Sequence, residues 1–439
     1  MNSKTFFIRT YGCQMNVYDS EAIEGLLMEH QFIPATSESD ADIILFNTCS
    51  VRDLAEQKVI GKAGLVSKLK RNKPDLVLGI CGCMAQNMKK ELFKKLPALN
   101  LVCGPNDILS LPSMIEEAFQ GKTNLLQVEN PRWVMNAQVP KHRKPGVSAW
   151  VSVMRGCNHS CTFCIVPRVR GHEVSRTTED ILTEVEQLVK EGYKEVTLLG
   201  QNINSYGRDL RDGTNFPKLL KTLNQVDGLE RIRFTTSHPV DIRDELLETM
   251  KTLPKVCESL HFPLQAGSNR ILEAMKRGYT RERYMQKVQT ARDKVSGVSI
   301  STDLIVGFPG ETHEDFLETF QALEDIQFDG AFIFKYSKRS GTPAGSMENQ
   351  IPEEIKEERH QKLLVFQDEI SLKKNQTFLG QPKEVLIEAR DRKASHRLYG
   401  RSRDNRMVFF EGLDRWIGKV IQVQIERVTA YALYGKALV

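Results

Sequence analysis

No stretch of this chain is apolar for long enough to span a membrane. The opening Met1-Asn2-Ser3-Lys4-Thr5-Phe6-Phe7-Ile8 has only a brief apolar run, and nothing later approaches the roughly 18 residues a span requires. Charge of one sign is also lacking: 61 basic residues face 56 acidic ones, so the formal +5 by itself points to no nucleic-acid or membrane partner. No internal repeat or low-complexity tract is present, which excludes a repeat architecture. A disulfide scaffold is excluded as well, because nine cysteines is an odd count in a 439-residue chain and several are closely spaced. That usage favours metal or redox chemistry in a reducing compartment. The expectation is a soluble, cytoplasmic protein.

The length, at 40% apolar residues, predicts several modules rather than one core. Residues 4–120 alternate strand-like segments (Thr5 to Thr10, Ile43 to Phe46, Leu76 to Ile80, Leu101 to Val102) with helical ones (Ser20 to Glu29, Leu54 to Lys70), which predicts an α/β, doubly wound domain. Residues 121–142, polar and broken by Pro131 and Pro140, read as a linker. Six strand candidates follow in 143–373: Ala149 to Met154, Glu195 to Leu199, Arg231 to Thr236, Ser259 to Leu264, Val298 to Val306 and Gly330 to Tyr336. Separated by helices, they predict a partial (βα)6 barrel whose active face lies at the strand C-termini. An amphipathic helix at 352–375 leads to residues 376–439, where strand-like runs between Gly400, Gly412 and Gly418 predict a small antiparallel β-barrel.

Chemistry enters with Cys157-x-x-x-Cys161-x-x-Cys164, placed right after the first barrel strand. A 4Fe-4S cube normally takes four thiolates, so three at close range leave one iron open for another ligand. A zinc site completed by His159 or a distant cysteine, and chance clustering of core cysteines, are the alternatives. Cys13, Cys49 and the Cys81-Gly82-Cys83 pair fall near the ends of three earlier strands, the edge where ligands gather in open α/β sheets. Each alone reads as core packing; three at analogous positions read as a second ligand set. Spacing does not separate Cys81 from Cys83.

The run Arg155-Gly-Cys157-Asn-His-Ser-Cys161-Thr-Phe163-Cys164-Ile-Val-Pro-Arg168 resembles the signature of the radical S-adenosylmethionine superfamily. That resemblance implies S-adenosylmethionine on the open iron, cleaved by one electron to a radical that abstracts hydrogen from an unactivated carbon, where no side-chain base could act. It also implies cofactor contacts from Phe163, from Gly200-Gln201-Asn202, from Thr236-Ser237-His238, from Gln265, Gly267 and Ser268, and from Val306 and Gly307. Gly200-Gln201-Asn202 departs from the Gly-Gly-Glu of many members.

With Tyr11-Gly-Cys13-Gln-Met-Asn16, Asn47-Thr-Cys49-Ser-Val-Arg52, Gly82-Cys83-Met-Ala-Gln86, Pro167-Arg-Val-Arg-Gly-His-Glu-Val-Ser-Arg176 and Leu199-Gly-Gln-Asn-Ile-Asn-Ser-Tyr-Gly207, the chain resembles the methylthiotransferase family along nearly its whole length. The closest branch is the one acting on N6-(dimethylallyl)adenosine at tRNA position 37; the branches acting on a ribosomal-protein aspartate or on threonylcarbamoyladenosine are the rivals. A non-catalytic, metal-stabilised RNA-binding protein is the alternative outside the family. The resemblance implies two 4Fe-4S clusters, with Cys83 rather than Cys81 completing the second, and S-adenosylmethionine both as methyl donor and as radical source. It also implies a tRNA anticodon stem-loop as partner, a low-potential donor such as flavodoxin or ferredoxin, a sulfur or cluster supplier, and a monomer.

Segment 390–406 carries a basic excess of five, as large as that of the whole chain. It resembles the TRAM module, in which Arg397, Arg401, Arg403 and Arg406 would meet phosphates and Tyr399, Phe409, Phe410 and Trp416 would either stack on bases or fill the barrel. Arg168, Arg170, His172 and Arg176, just past the cysteine run, are further RNA candidates, with structural ion pairs as the alternative reading.

Overall fold

The computed structural model describes residues 4–50, 53–129, 139–394 and 396–438. Val51 and Arg52 of the second cysteine motif, and Pro131 of the expected linker, lie outside them.

Short apolar strands and helices alternate in the first module, and its central strands Ile43–Thr48, Val77–Gly82 and Leu101–Cys103 are buried along their whole length, on both faces. Its six strands, all parallel, stand in the order Ile33–Pro34, Thr5–Tyr11, Ile43–Thr48, Val77–Gly82, Leu101–Cys103, Leu125–Gln127. One apolar layer, including Ile23, Leu27, Ile115 and Leu101, covers one face; another, including Ile44, Phe46, Val59 and Leu92, covers the other. The chain reverses direction across the sheet between Thr5–Tyr11 and Ile43–Thr48, and such a switch point opens a crevice at the strand C-termini. Two corrections arise here. Leu125–Gln127, expected in the linker, is one of the sheet's two edge strands, too short to stand out among polar neighbours. Cys81 lies inside Val77–Gly82, not past its end.

The second module has six parallel strands in chain order: Ser148–Ser152, Glu195–Leu199, Arg231–Thr235, then Ser259–His261, Ser299–Val306, Gly330–Lys335. The bridge Ile232–Val256 spans the gap between the two triplets, giving the expected partial barrel. Its core runs from Val151 through Leu198, Ile232, Leu260 and Leu304 to Ile333. The helix Glu353–Gln376 packs on the last strand and leads to the third module.

There, Pro382–Arg390, Arg397–Ser402, Met407–Glu411, Leu433–Leu438 and Val420–Val428 close into a barrel around Val385, Leu398, Phe410 and Val423. Four of its pairings are antiparallel, as the small antiparallel barrel expected from sequence requires, and one, Val408 to Phe410 with Leu433 to Gly435, is parallel.

The third module seals the base of the second. Arg231 and Arg233, at the entry of one barrel strand, donate to the carbonyls of Arg401, Ser402 and Arg403, and Ser299 Oγ donates to the Asp404 carbonyl at 2.8 Å. The opposite, C-terminal mouth is left for chemistry.

Candidate active site

Cys13 ends the first strand's exit loop and caps the helix Gln14–Glu29, so unsatisfied helix N–H groups point at its sulfur. Cys49 follows Ile43–Thr48 directly, and Cys83 opens the helix Cys83–Met88 after Val77–Gly82. Gly82, at φ +89°, makes that turn possible: a Cβ there would meet Asn47 Oδ1 at 2.5 Å. A hydrogen bond with Cys49, with help from Arg170, holds the Cys13 thiol down at about 6 despite its burial. Burial pushes Cys83 up, partly offset by Arg170. Cys81 faces the core in register with Cys103, and burial raises its thiol to about 12.

Cys157, Cys161 and Cys164 lie in the loop after the first barrel strand. Gly156, at φ +78°, passes so close to the chain at 171–172 that a Cβ would meet the His172 carbonyl at 2.0 Å. Cys164 N–H donates to the Cys161 carbonyl at 3.0 Å, a turn that brings these two residues onto one loop, and Cys157 N–H donates to the Gly171 carbonyl at 3.2 Å. Burial raises Cys157 to about 12 and Cys164 to about 11.

Each set therefore offers three soft sulfurs with a buried guanidinium beside them. Arg170 Nη1 is buried without a protein partner, next to Cys83, and Arg277 Nη1 lies 3.2 Å from Cys161 Sγ. Cationic donors on sulfur suit a thiolate-ligated iron–sulfur cube, which carries net negative charge. His159 Nε2 is engaged with Asp241 at 2.6 Å and its ring stacks on His238 at 3.8 Å, so it groups with those two side chains, whose ligand atoms lie close enough together to hold a metal ion.

The two sets share a wall. The helix Val166–Arg170 begins two residues after Cys164; Ile165 and Val169 pack on Cys83, and Arg170 reaches Asp19 in the first module. Five helical residues rise only roughly 7–8 Å.

Around the barrel mouth the expected cofactor residues divide. Gln201 Oε1 accepts from Gly156 N–H at 2.6 Å, and Asn202 accepts from His238 N–H while donating to Asp241 at 2.7 Å, so both brace the cysteine loop. Gly200 packs against Met154. Asp241 also receives Arg208 at 2.6 Å; burial opposes its ionisation, but the bonds from His159, Arg208 and Asn202 prevail and hold it well below the usual carboxylate range. His238 Nε2 is buried without a partner, and burial together with Arg277 pushes the ring down to about 2. Ser237 is buried with its hydroxyl unpartnered, and Thr236 stands half-buried beside it. Gln265 crosses to the Ser299–Val306 strand, its N–H donating to the Asp303 carbonyl. Phe163 packs on Ala266 and Phe308; Val306 is buried, and Gly307 N–H donates to Glu311. Gly267 and Ser268 turn away. Gly267 abuts the helix His313–Ile326 and Ser268 Oγ donates to Asp315 at 2.6 Å, so close helix packing accounts for these small residues.

The RNA candidates need larger correction. Arg170 and Arg176 are 4% and 1% exposed, and Arg176 pairs with Glu184. Arg403 pairs with Glu258 at 2.7 Å and Arg406 with Asp329 at 2.7 Å, both across the module boundary. These cations hold the fold, because a charge leaving water needs a fixed counter-charge. Arg397 pairs with Asp391 and lies over the Phe409 ring at 4.9 Å; Arg401 pairs with Glu388 at 3.4 Å. Arg168 and His172 remain exposed. Phe410 fills the barrel and Trp416 packs on its core. Tyr399 and Phe409 instead stand on its outside with Tyr434: their rings follow one another at 5.9 and 5.4 Å across three strands, and Arg427 covers Tyr434 at 3.6 Å. Asp19, Asp241 and Arg277 have no local sequence signal, because their partners are distant in the chain.

Family models match in three parts: "Uncharacterized protein family UPF0004" over residues 5–104, the Radical SAM superfamily over 151–323 and the TRAM domain over 376–438. A protein of Carboxydothermus hydrogenoformans named tRNA-2-methylthio-N(6)-dimethylallyladenosine synthase is 48% identical over 99% of both chains. A namesake from Acetivibrio thermocellus is 45% identical over 98% of this chain and 90% of its own. The chain belongs to this synthase family. Other solved structures resemble this synthase-family member in fold alone. A radical S-adenosylmethionine methyltransferase from Kitasatospora setae aligns with TM-score 0.58 at 14% identity, over 78% of this chain and 75% of its own. A cobalamin-dependent S-adenosylmethionine radical enzyme aligns with TM-score 0.53 at 13% identity, over 83% of this chain and 56% of its own. No described helix is long and apolar enough to cross a membrane.

Proposed function

We propose that this synthase-family protein inserts a methylthio group at C2 of N6-(dimethylallyl)adenosine beside the tRNA anticodon, at position 37. The observation that carries the reading is the shared wall: Ile165 and Val169 on Cys83, two thiol sets one short helix apart. When bound, two 4Fe-4S clusters and S-adenosylmethionine supply the radical, the methyl group and the sulfur chemistry.

The chain's own residues do the rest. Cys157, Cys161 and Cys164 hold the radical cluster, and Cys13, Cys49 and Cys83 the other. Gln201 and Asn202 fix the loop of the first, and the unpartnered Ser237 hydroxyl and His238 Nε2 face S-adenosylmethionine. The base leaves its stack to reach the barrel mouth, as base-modifying chemistry requires. Tyr399, Phe409 and Tyr434, flanked by Arg397 and Arg427, form a stacking and phosphate surface for tRNA, with the exposed Arg392 and Lys393 of the same module as further phosphate contacts and Arg168 at the substrate side. The protein works in the cytoplasm as a monomer, with a flavodoxin- or ferredoxin-class electron donor and a separate sulfur or cluster supplier.

The test incubates the anaerobically reconstituted protein with tRNA lacking the methylthio group, a reductant and S-adenosylmethionine, and analyses nucleosides by mass. The expected product is the methylthiolated adenosine, with C2 deuterium recovered in 5′-deoxyadenosine. Methylthiolated ribosomal protein in its place would move the assignment to the rival branch.

A further inference from the structure

Deeply buried arginines in this molecule come with carboxylates. Arg155 and Arg170 share Asp19, Arg176 has Glu184, Arg231 has Glu384, Arg233 has Glu195 and Arg359 has Glu311. Arg277 breaks the pattern. It is 5% exposed, and among the described residues no carboxylate pairs with it. Its Nε donates to the Tyr279 hydroxyl at 2.9 Å, its Nη2 to the Pro263 carbonyl at 3.1 Å, and its Nη1 points at Cys161 Sγ, 3.2 Å away and 116 residues earlier in the chain. Tyr279 in turn donates to the carbonyls of Pro263 and Leu264, fixing the plane of the fork.

A cation taken out of water without a counter-charge is costly. Among the described residues, the ionisable groups beside this guanidinium include the Tyr279 hydroxyl, which burial keeps protonated, and the thiols of Cys161 and Cys164; Cys161 is the one its Nη1 reaches, so the guanidinium shares charge with that thiolate and with the electrons a cluster on that sulfur would delocalise. Hydrogen bonds and charge beside cluster sulfurs are among the levers that set reduction potential.

We propose that Arg277 is a positioning residue for the barrel cluster, donating a charge-assisted hydrogen bond to the Cys161 thiolate and raising the cluster's midpoint potential. The inference rests on the proposed radical S-adenosylmethionine reading. The step affected is a one-electron reduction by a low-potential donor, with no bond made or broken and no proton moved: the reduced cluster is more negative by one charge, and Arg277 stabilises that state more than the oxidised one. Arg277 thereby brings the cluster within reach of its reductant.

The test uses full-length, anaerobically reconstituted wild type, Arg277→Gln, Arg277→Lys and Tyr279→Phe. Iron and sulfide are assayed, and the midpoint of the EPR signal that changes on adding S-adenosylmethionine is measured. With iron retained, the midpoint should move to more negative potential in Arg277→Gln, by less in Arg277→Lys, and by only a small part of the Arg277→Gln shift in Tyr279→Phe, which keeps the guanidinium but loosens its fork. An unmoved midpoint in Arg277→Gln overturns the proposal, as does a Tyr279→Phe shift as large as that of Arg277→Gln, which would assign the effect to loop geometry. Should Arg277→Gln fail to hold iron, wild type grown on 15N-arginine decides by pulsed EPR: a nitrogen coupling to the barrel cluster that is lost in Arg277→Lys supports the proposal, and its absence from wild type sinks it. A wild type with no S-adenosylmethionine-sensitive signal would instead overturn the radical reading itself.

Discussion

Arg170 Nη2 donates to Asp19 Oδ2 at 2.8 Å, tying the turn beyond the barrel cysteines to the helix that starts beside Cys13. Arg155, just before Cys157, donates to the other oxygen of the same carboxylate, and all three side chains are buried. One acid thus registers both thiol sets. Asp19→Asn would leave two guanidiniums buried around a neutral amide, and breaking a buried pair by removing one partner costs about 3–5 kcal/mol. Denaturant unfolding of the iron-loaded variant should show a loss of that order, accompanied by release of iron. Wild-type stability in Asp19→Asn would mean the triad contributes nothing.

The cysteines make a sharper prediction, because Cys81 and Cys83 are separated only by Gly82 yet face different environments. Cys83→Ala should lose about half of the bound iron and all methylthio transfer while still cleaving S-adenosylmethionine. Cys81→Ala, which truncates a core side chain against Cys103, should keep both iron and activity. Iron assay with 5′-deoxyadenosine quantification reads both variants; the reverse pattern would exchange their roles.

How legible this was in the sequence depends on distance along the chain. Strand alternation and the placement of Cys13, Cys49 and Cys157 after strands are local properties, and the three-module architecture followed from them. The sequence signals the helix Gln14–Glu29 only from Ser20 onward, because its cap is a cysteine, a residue outside the usual capping set. The basic segment 390–406 was legible as charge but not as use. Arg403 and Arg406 find Glu258 and Asp329 far back in the chain, and nothing local distinguishes a phosphate-binding arginine from one that clamps two modules together. Arg427 and Tyr434, outside that segment, were missed for the complementary reason: the ladder exists only once three strands align.

Asp315 carries the pH dependence that is easiest to isolate. It caps the helix His313–Ile326 through Thr312 N–H at 2.8 Å, receives Ser268 Oγ at 2.6 Å and pairs with Arg270. Burial opposes its ionisation, but Arg270, Ser268 and Thr312 outweigh that and hold the carboxyl at about 2, below its ordinary 3.8. A depressed carboxyl stabilises the fold fully above its unfolded value, and that contribution fades as pH falls through 3.8 toward 2. Because Arg270 is more than half exposed, solvent screening trims the expected cost of Asp315→Asn at neutral pH to about 1–2 kcal/mol. The stability gap between wild type and variant, followed by urea unfolding, should narrow on acidification below pH about 4. A gap that stays constant with pH would show that the carboxylate charge is irrelevant.

The outer face of the C-terminal barrel and its basal clamp can be told apart by substitution. Phe409 and Tyr434 stack at an interplanar angle of 19° with Arg427 over the end of the pair, an arrangement that offers a flat edge to an unstacked base. Base–aromatic stacking is worth about 1–3 kcal/mol by alanine substitution. Tyr434→Ala should therefore weaken tRNA binding roughly tenfold at fixed salt, with Arg392→Ala instead flattening the salt dependence. Arg403→Ala removes a contact to Glu258 rather than to RNA, so it should lower the unfolding midpoint while leaving affinity nearly unchanged. Anisotropy titrations with an anticodon stem-loop, beside melting curves, separate the two. If Arg403→Ala loses more affinity than Tyr434→Ala while remaining folded, the clamp and not the ladder meets the RNA.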